Sequence, residues 1–270
     1  MPVFIRPFGF IVIRVAVCSF LFFLLQKIWI NERMQRKDLP RLMLCGLFGV
    51  AINQLLFFKG LSMTVPINAS LMMILTPLLV LFFAAFGGQE RFTAVKIGGV
   101  LLGAAGAFIL LAGKGFHFSS DTLTGDLLIL LNATSYAIYL VIVRPLMKTY
   151  HPLSVITWVF MLGLIPVIFT GWEEFLQIDF LSFPLTIWAA VVFVVMGTTF
   201  IAYLFNILAL REVNSSVVGA YIYLQPLIAA AVASLLGVDQ LTPQKALAGL
   251  FIFAGVYLVT FGLPTKQSNS

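Results

Sequence analysis

The chain has 270 residues, 61% of them apolar and only 10% charged, with a mean hydropathy of +1.08. Soluble domains of this size run near half apolar and about a quarter charged, so a water-soluble enzyme, an extracellular disulfide scaffold and a disordered chain are excluded. The net charge of +6 would suggest nucleic acid in a soluble protein. In a membrane protein it is the excess of Lys and Arg that cytoplasmic loops carry, and no nucleic-acid partner is expected.

A helix needs about 20 mostly apolar residues to cross the hydrocarbon core. Nine such stretches follow one another at 8–30, 42–61, 67–87, 95–112, 127–147, 153–171, 185–210, 215–237 and 245–263. Their continuity excludes a β-barrel, whose strands alternate over about ten residues. Arg6 and Arg14 interrupt the start of the first stretch and no small-x-small cleavage site follows it, so it reads as a mature helix and not as a signal peptide. The breaks are short and hold most of the charge, as in 31–41 (NERMQRKDLPR) and 211–214 (REVN). Trp29, Trp172 and Trp188 fall near span ends, where interfacial aromatics collect. Cys18 and Cys45 lie inside apolar runs and read as small hydrophobes, without disulfide, metal or redox chemistry. The expected fold is all-α: a polytopic transmembrane helix bundle in the lipid bilayer.

An internal repeat organises the bundle. ILTPLLVLFFAAFGGQERFTAVK (74–96) aligns with YLQPLIAAAVASLLGVDQLTPQK (223–245) at one offset of 149. Pro77 then falls on Pro226, Glu90 on Asp239, Thr93 on Thr242, Lys96 on Lys245 and Gly106 on Gly255. Upstream, Gly49 matches Gly197 at 148 and Pro7 matches Pro152 at 145. The expected units are 1–112, an inter-repeat loop 113–125, a second repeat 126–263 and a polar tail 264–270. With 31–41 inside, alternation puts eleven cations (Lys27, Arg33, Arg36, Lys37, Arg41, Arg91, Lys96, Arg144, Lys148, Arg211, Lys266) in the cytoplasm. Only four (Arg6, Lys59, Lys114, Lys245) fall outside, a strong positive-inside bias that also makes the C-terminus cytoplasmic. The basic loop 31–41 corresponds to an acidic one at 171–184, so the repeats are inverted across the membrane. The second repeat has five helices and the first four, which predicts a ten-helix protein with a further helix of about 20 residues ahead of Met1.

Ionisable residues at membrane depth are the first place to seek function. Arg14 lies one or two turns into the first helix and either anchors by snorkelling or contacts an anionic substrate group. Lys59 reads as a rim residue. No Asp or Glu falls centrally in any span, and Glu90 and Asp239 stand ahead of a helix, where carboxylates cap. Buried amides and phenols need partners or a wet cavity. Asn53, Gln54, Asn132, Tyr136, Tyr203, Tyr221 and Gln225 cluster in equivalent helices of both halves, and they are the candidate cavity residues. Pro77 and Pro226 sit mid-span, where each removes a backbone donor and kinks the helix. Paired breaks of this kind point to a binding site between repeats. Gly98, Gly99, Gly103, Gly106, Gly249 and Gly255 read as close-packing positions.

The two proline-bearing segments, each followed by a Gly-(x)-acid-x-x-Thr turn and a glycine-rich last helix, resemble the EamA-like transporters of the drug/metabolite transporter superfamily. The resemblance runs from about Pro7 to Leu263, with Asp239 where the family usually has Glu. It implies two inverted five-helix repeats, a bacterial cytoplasmic membrane location and transport of amino acids or other small metabolites. The expected activity is secondary transport of a small-molecule substrate by alternating access, with a coupling ion left open. No G-x-x-x-x-G-K-[ST] occurs, and no cofactor or metal is expected. An intramembrane enzyme finds no H-E-x-x-H, G-x-S-x-G or paired Asp to support it, since His117 and His151 are in loops. A non-transporting scaffold or receptor remains the other class.

Overall fold

The computed structural model describes residues 5–30, 32–112, 120–236 and 242–261. Among them, nine helices are long and apolar enough to cross a membrane. They are α1 (Pro7–Trp29), α2 (Arg36–Leu61), α3 (Pro66–Phe86), α4 (Ala94–Ala112), α5 (Ser120–Lys148), α6 (Pro152–Leu176), α7 (Leu185–Glu212), α8 (Ser215–Val232) and α9 (Pro243–Phe261). The described residues are nearly all helical and contain no strand. Asp239, Lys114, His117, Lys266 and the 264–270 tail lie outside them.

Two boundaries move, and both matter. Helix α5 begins at Ser120 and not at Asp126, which turns the last part of the expected 113–125 loop into helix. Asp126 is therefore a carboxylate inside a span, only 5% exposed. It accepts from Thr64 Oγ1 at 2.5 Å and from Asn68 Nδ2 at 3.3 Å. Helix α6 runs on to Leu176, so Glu173 and Glu174 belong to its last turn and not to a loop.

Helices at equivalent places in the two repeats pack antiparallel against each other. Helices α1 and α6 form the first such pair, with the last turn of α6 beside the first turn of α1. Helices α4 and α9 form the second, and their backbones nearly touch. A Cβ on Gly255 would sit 2.5 Å from Gly103 N and 2.6 Å from Gly99 O. In lipid, where apolar burial gives little drive, contact this close is what holds helices together. Gly98 differs from the packing expectation: it is exposed and faces open space.

Carboxylates from one half cap helices of the other. Glu174 Oε2 accepts from Phe8 N and Gly9 N at 2.8 and 3.1 Å. These are the free first-turn donors of α1 that a cap satisfies, and α1's own N-cap, Arg6, supplies no side-chain bond. Glu32 Oε2 accepts from His151 N at 3.0 Å, at the start of α6. The equivalent expectation for Glu90 needs correcting. Its Oε1 accepts from Ser216 N at 3.1 Å, in the first turn of α8, and its Oε2 pairs with Lys96 Nζ at 2.5 Å. The residue that caps α4 is Thr93, whose Oγ1 accepts from Lys96 N at 3.2 Å; Thr242 does the same for Lys245 N in α9 at 3.4 Å. Between the spans, Tyr150 donates to Asp38 Oδ2 at 2.6 Å and accepts from Gln35 N at 3.1 Å. Burial, reinforced by the Asp38 bond, pushes its phenol above the usual range.

The core falls into two clusters. One joins α1, α2, α5, α6 and α7, with Val80 of α3 and Val218 of α8, around Phe22, Tyr139, Phe160 and Ile207. The other joins α3, α4, α8 and α9 around Leu81, Tyr223 and Ile252.

Candidate functional site

Four spans lose regular α-helical geometry where they cross the middle of the bundle. Helix α2 is π-helical over Leu47–Ile52, and α7 over Val194–Ile201. These segments are equivalent in the repeat, since Gly49 and Gly197 sit in them. π-Helical turns concentrate at functional sites. Helix α3 breaks at Ile74 and Leu75 before Pro77, and α8 passes through a 3-10 turn at Tyr221–Tyr223 before Pro226. Each proline withholds the N–H that would have bonded the carbonyl four residues back, at Met73 and Ile222.

Around these irregular segments lies a cavity of about 380 Å³. Its lining includes Arg14 from α1, Asn53, Gln54, Phe57 and Phe58 from α2, Met73 and Thr76 from α3, and Asn132 and Tyr136 from α5. Thr198, Tyr203 and Asn206 from α7 and Ile222 and Gln225 from α8 also face it. The lining draws on both repeats and on spans from both core clusters. Seven of the eight residues singled out in the sequence therefore share one cavity. Tyr221 does not. It is half-exposed and borders a neighbouring pocket of about 370 Å³ that extends toward Val213. Gln225 and Ile222 border both spaces and a third, smaller pocket beside Pro226.

Several polar groups at and beside the cavity wall are tied to neighbouring backbone. Asn132 Nδ2 donates to Asn53 O at 2.6 Å, and Ser135 Oγ to Phe48 O at 2.6 Å. Tyr203 Oη lies 3.2 Å from Gly49 O and 3.4 Å from Asn53 Oδ1. The side chains thus bond carbonyls in and beside the π-helical stretch of α2 and so hold its shape. Asn206 Nδ2 donates to Tyr136 Oη at 2.6 Å. Asn132 and Asn206 consequently bridge helices as well as facing the cavity.

Arg14 is 7% exposed and turns into the bundle, not outward to the interface as snorkelling would have it. Its Nε and Nη2 donate to Thr199 Oγ1 at 3.0 and 2.7 Å. The Thr199 hydroxyl in turn donates to Val194 O at 3.1 Å, five residues back across the π turn. The guanidinium stands 4.9 Å from the Phe58 ring centre and 5.7 Å from that of Phe10, within cation–π range. Among the described residues no carboxylate pairs with it. Two polar side chains on the wall are buried without a well-formed hydrogen bond: the Gln54 amide, against the Tyr203 phenol, and the Thr76 hydroxyl. Sequence reasoning passed over Thr199, because one threonine in an apolar run carries no signal until its neighbour across the bundle is known. Phe57 and Phe58, two of 27 phenylalanines that sequence alone does not tell apart, face the cavity. No group of three or more His, Cys, Asp or Glu among the described residues could hold a metal ion.

Residues 1–112 and 123–261 match the EamA-like transporter family. The chain belongs to that family. It is 26% identical over 241 residues to the uncharacterized transporter YyaM of Bacillus subtilis (strain 168), covering 88% of this chain and 76% of that one. It is 28% identical over 236 residues to the probable terminal-alkyne amino-acid exporter of Streptantibioticus cattleyicolor, covering 84% and 75%. A shorter stretch of 101 residues is 34% identical to the aromatic amino acid exporter YddG of Ancylobacter novellus, covering 37% and 34%. A solved crystal structure at 21% identity superposes with a TM-score of 0.77 over 95% of this chain and 88% of that one, a likeness of fold alone. The EamA-like family and these relatives are transporters and not enzymes, and this chain is a multi-pass integral membrane transporter.

Proposed function

We propose that the chain is a secondary transporter of small polar metabolites, amino acids among them, working by alternating access around the central cavity. The observation that carries this reading is a cavity of about 380 Å³, of the size that small-molecule sites have, walled by both repeats where the two core clusters meet. Core clusters that meet at a cavity lined with polar groups can shift against each other, as inverted-repeat transporters do. The π-helical stretches of α2 and α7 and the breaks in α3 and α8 are the places where the spans can bend. Two relatives named as amino-acid exporters support the substrate class. The excess of cations on one side supports a cytoplasmic C-terminus in a bacterial inner membrane.

The test is flux in proteoliposomes. Gln225, at the junction of three pockets, is expected to matter for transport and not for folding. Gln225→Ala should lower amino-acid counterflow severalfold while membrane abundance and thermal unfolding stay at wild-type values. Equal losses of abundance and flux would make Gln225 a packing residue and remove this support.

A further inference from the structure

The geometry points to a small organic anion, its charged end a carboxylate, as the cargo of the central cavity, with Arg14 as the group that holds it. The inference rests on the transporter reading above and narrows it by charge. Among the described residues the cavity wall carries one cation and no acidic side chain, and the two pockets that open from it carry no charged side chain of either sign. The buried carboxylates Asp126 and Glu90 are engaged elsewhere: Asp126 with Thr64 and Asn68, Glu90 with Lys96 and Ser216. A guanidinium at this depth is costly to leave without a counter-charge, and the neutral Thr199 hydroxyl and the Phe58 ring offset only part of that cost.

The bond to Thr199 fixes how the guanidinium is presented. Nε and Nη2 are turned to the hydroxyl, which leaves the edge formed by Nη1 and the second Nη2 hydrogen. That edge is the fork that takes a carboxylate through two parallel bonds. The Gln54 amide, which lies against the Tyr203 phenol, and the Thr76 hydroxyl on the same wall provide both donors and acceptors for a second polar group on the cargo. Phe57, Phe58 and Tyr136 supply an apolar bed for its body. An amine without an acid meets one positive charge and no negative one, so the same wall rejects it. A zwitterion falls between the two.

The full chain reconstituted in phosphatidylcholine vesicles, free of anionic lipid, is loaded with a small-metabolite extract of the expressing cells, and the species that leave are identified by mass spectrometry. Carboxylate anions are expected to leave fastest, zwitterions more slowly, and amines not at all. Arg14→Gln should cut carboxylate efflux about tenfold or more, while Arg14→Lys keeps a measurable part of it. Thr199→Val retains the cation but frees it, so the KM for acids should rise with the preference for acids intact; this variant carries the test if Arg14→Gln does not fold. Amines or neutral amides leaving as fast as acids would overturn the anion assignment and leave the transporter standing. So would a folded Arg14→Gln that exports acids at the wild-type rate. Efflux of nothing at all would overturn the transporter reading and this one with it.

Discussion

Glu174→Ala is the sharpest test of how the two halves are joined. The substitution removes the one acceptor of two first-turn amides of α1, Phe8 N and Gly9 N. Loss of a capping side chain costs about 0.5–2 kcal/mol, and a carboxylate at a helix N-terminus adds about 0.3–1 kcal/mol through the helix dipole. Glu174 is partly exposed, so water recovers some of this, and a total of about 1–2 kcal/mol is expected. Glu32→Ala removes a single acceptor, that of His151 N, and should cost about half as much. The two caps stand at opposite ends of the α1–α6 pair, about 33 Å apart for a 23-residue helix, so their effects should add. Steric-trap unfolding in lipid nanodiscs measures these differences, with exposed Glu173→Ala as the control for loss of charge alone. The reasoning fails if Glu174→Ala unfolds like Glu173→Ala, or if the double substitution costs clearly less than the sum.

Other substitutions probe the remaining contacts. Gly255→Leu forces side-chain atoms into the backbone of Gly99 and Gly103; it should abolish a monodisperse peak on size-exclusion chromatography, whereas Gly98→Leu, facing open space, should leave it intact. Tyr203→Phe removes the hydroxyl that reaches Gly49 O and Asn53; a loss of about 0.5–1.5 kcal/mol in stability with a larger fractional loss of flux is expected in paired unfolding and proteoliposome assays. Asp126→Leu strips Thr64 and Asn68 of their shared acceptor and should destabilise by about 1–3 kcal/mol, read by thermal unfolding, while Asp126→Asn keeps an acceptor and recovers most of it.

The spans were legible because length and apolarity alone decide whether a helix can cross a bilayer, and all nine expected stretches overlap observed ones. The pairing of α4 with α9 was legible in part through their glycines. The π-helical stretches were not, because Leu47–Ile52 and Val194–Ile201 are built from the same apolar residues as their α-helical flanks. What holds them is a set of bonds from Ser135, Tyr203 and Thr199, two of them from other helices. Tyr221 illustrates the limit of periodicity. Four residues before Gln225 it would share a helical face, but the intervening 3-10 turn at Tyr221–Tyr223 adds roughly 60° of rotation, since each residue turns about 120° and not 100°. Asp126 was missed because the apolar run starts after it, while the helix starts before it at Ser120. Where Glu32, Glu90 and Glu174 point depends on contacts between distant parts of the chain, which no local pattern encodes.

Those long-range caps have a consequence for biosynthesis. The amide of Phe8 and the carboxylate that completes it are 166 residues apart, and at roughly 5–20 residues per second the ribosome needs about 8–33 seconds to bridge them. Through that interval α1 rests in the membrane with its first turn unsealed and its partner helix not yet made. The nascent first half is thus a waiting state, dependent on lipid headgroups, water or a chaperone for the bonds that only the second half will supply.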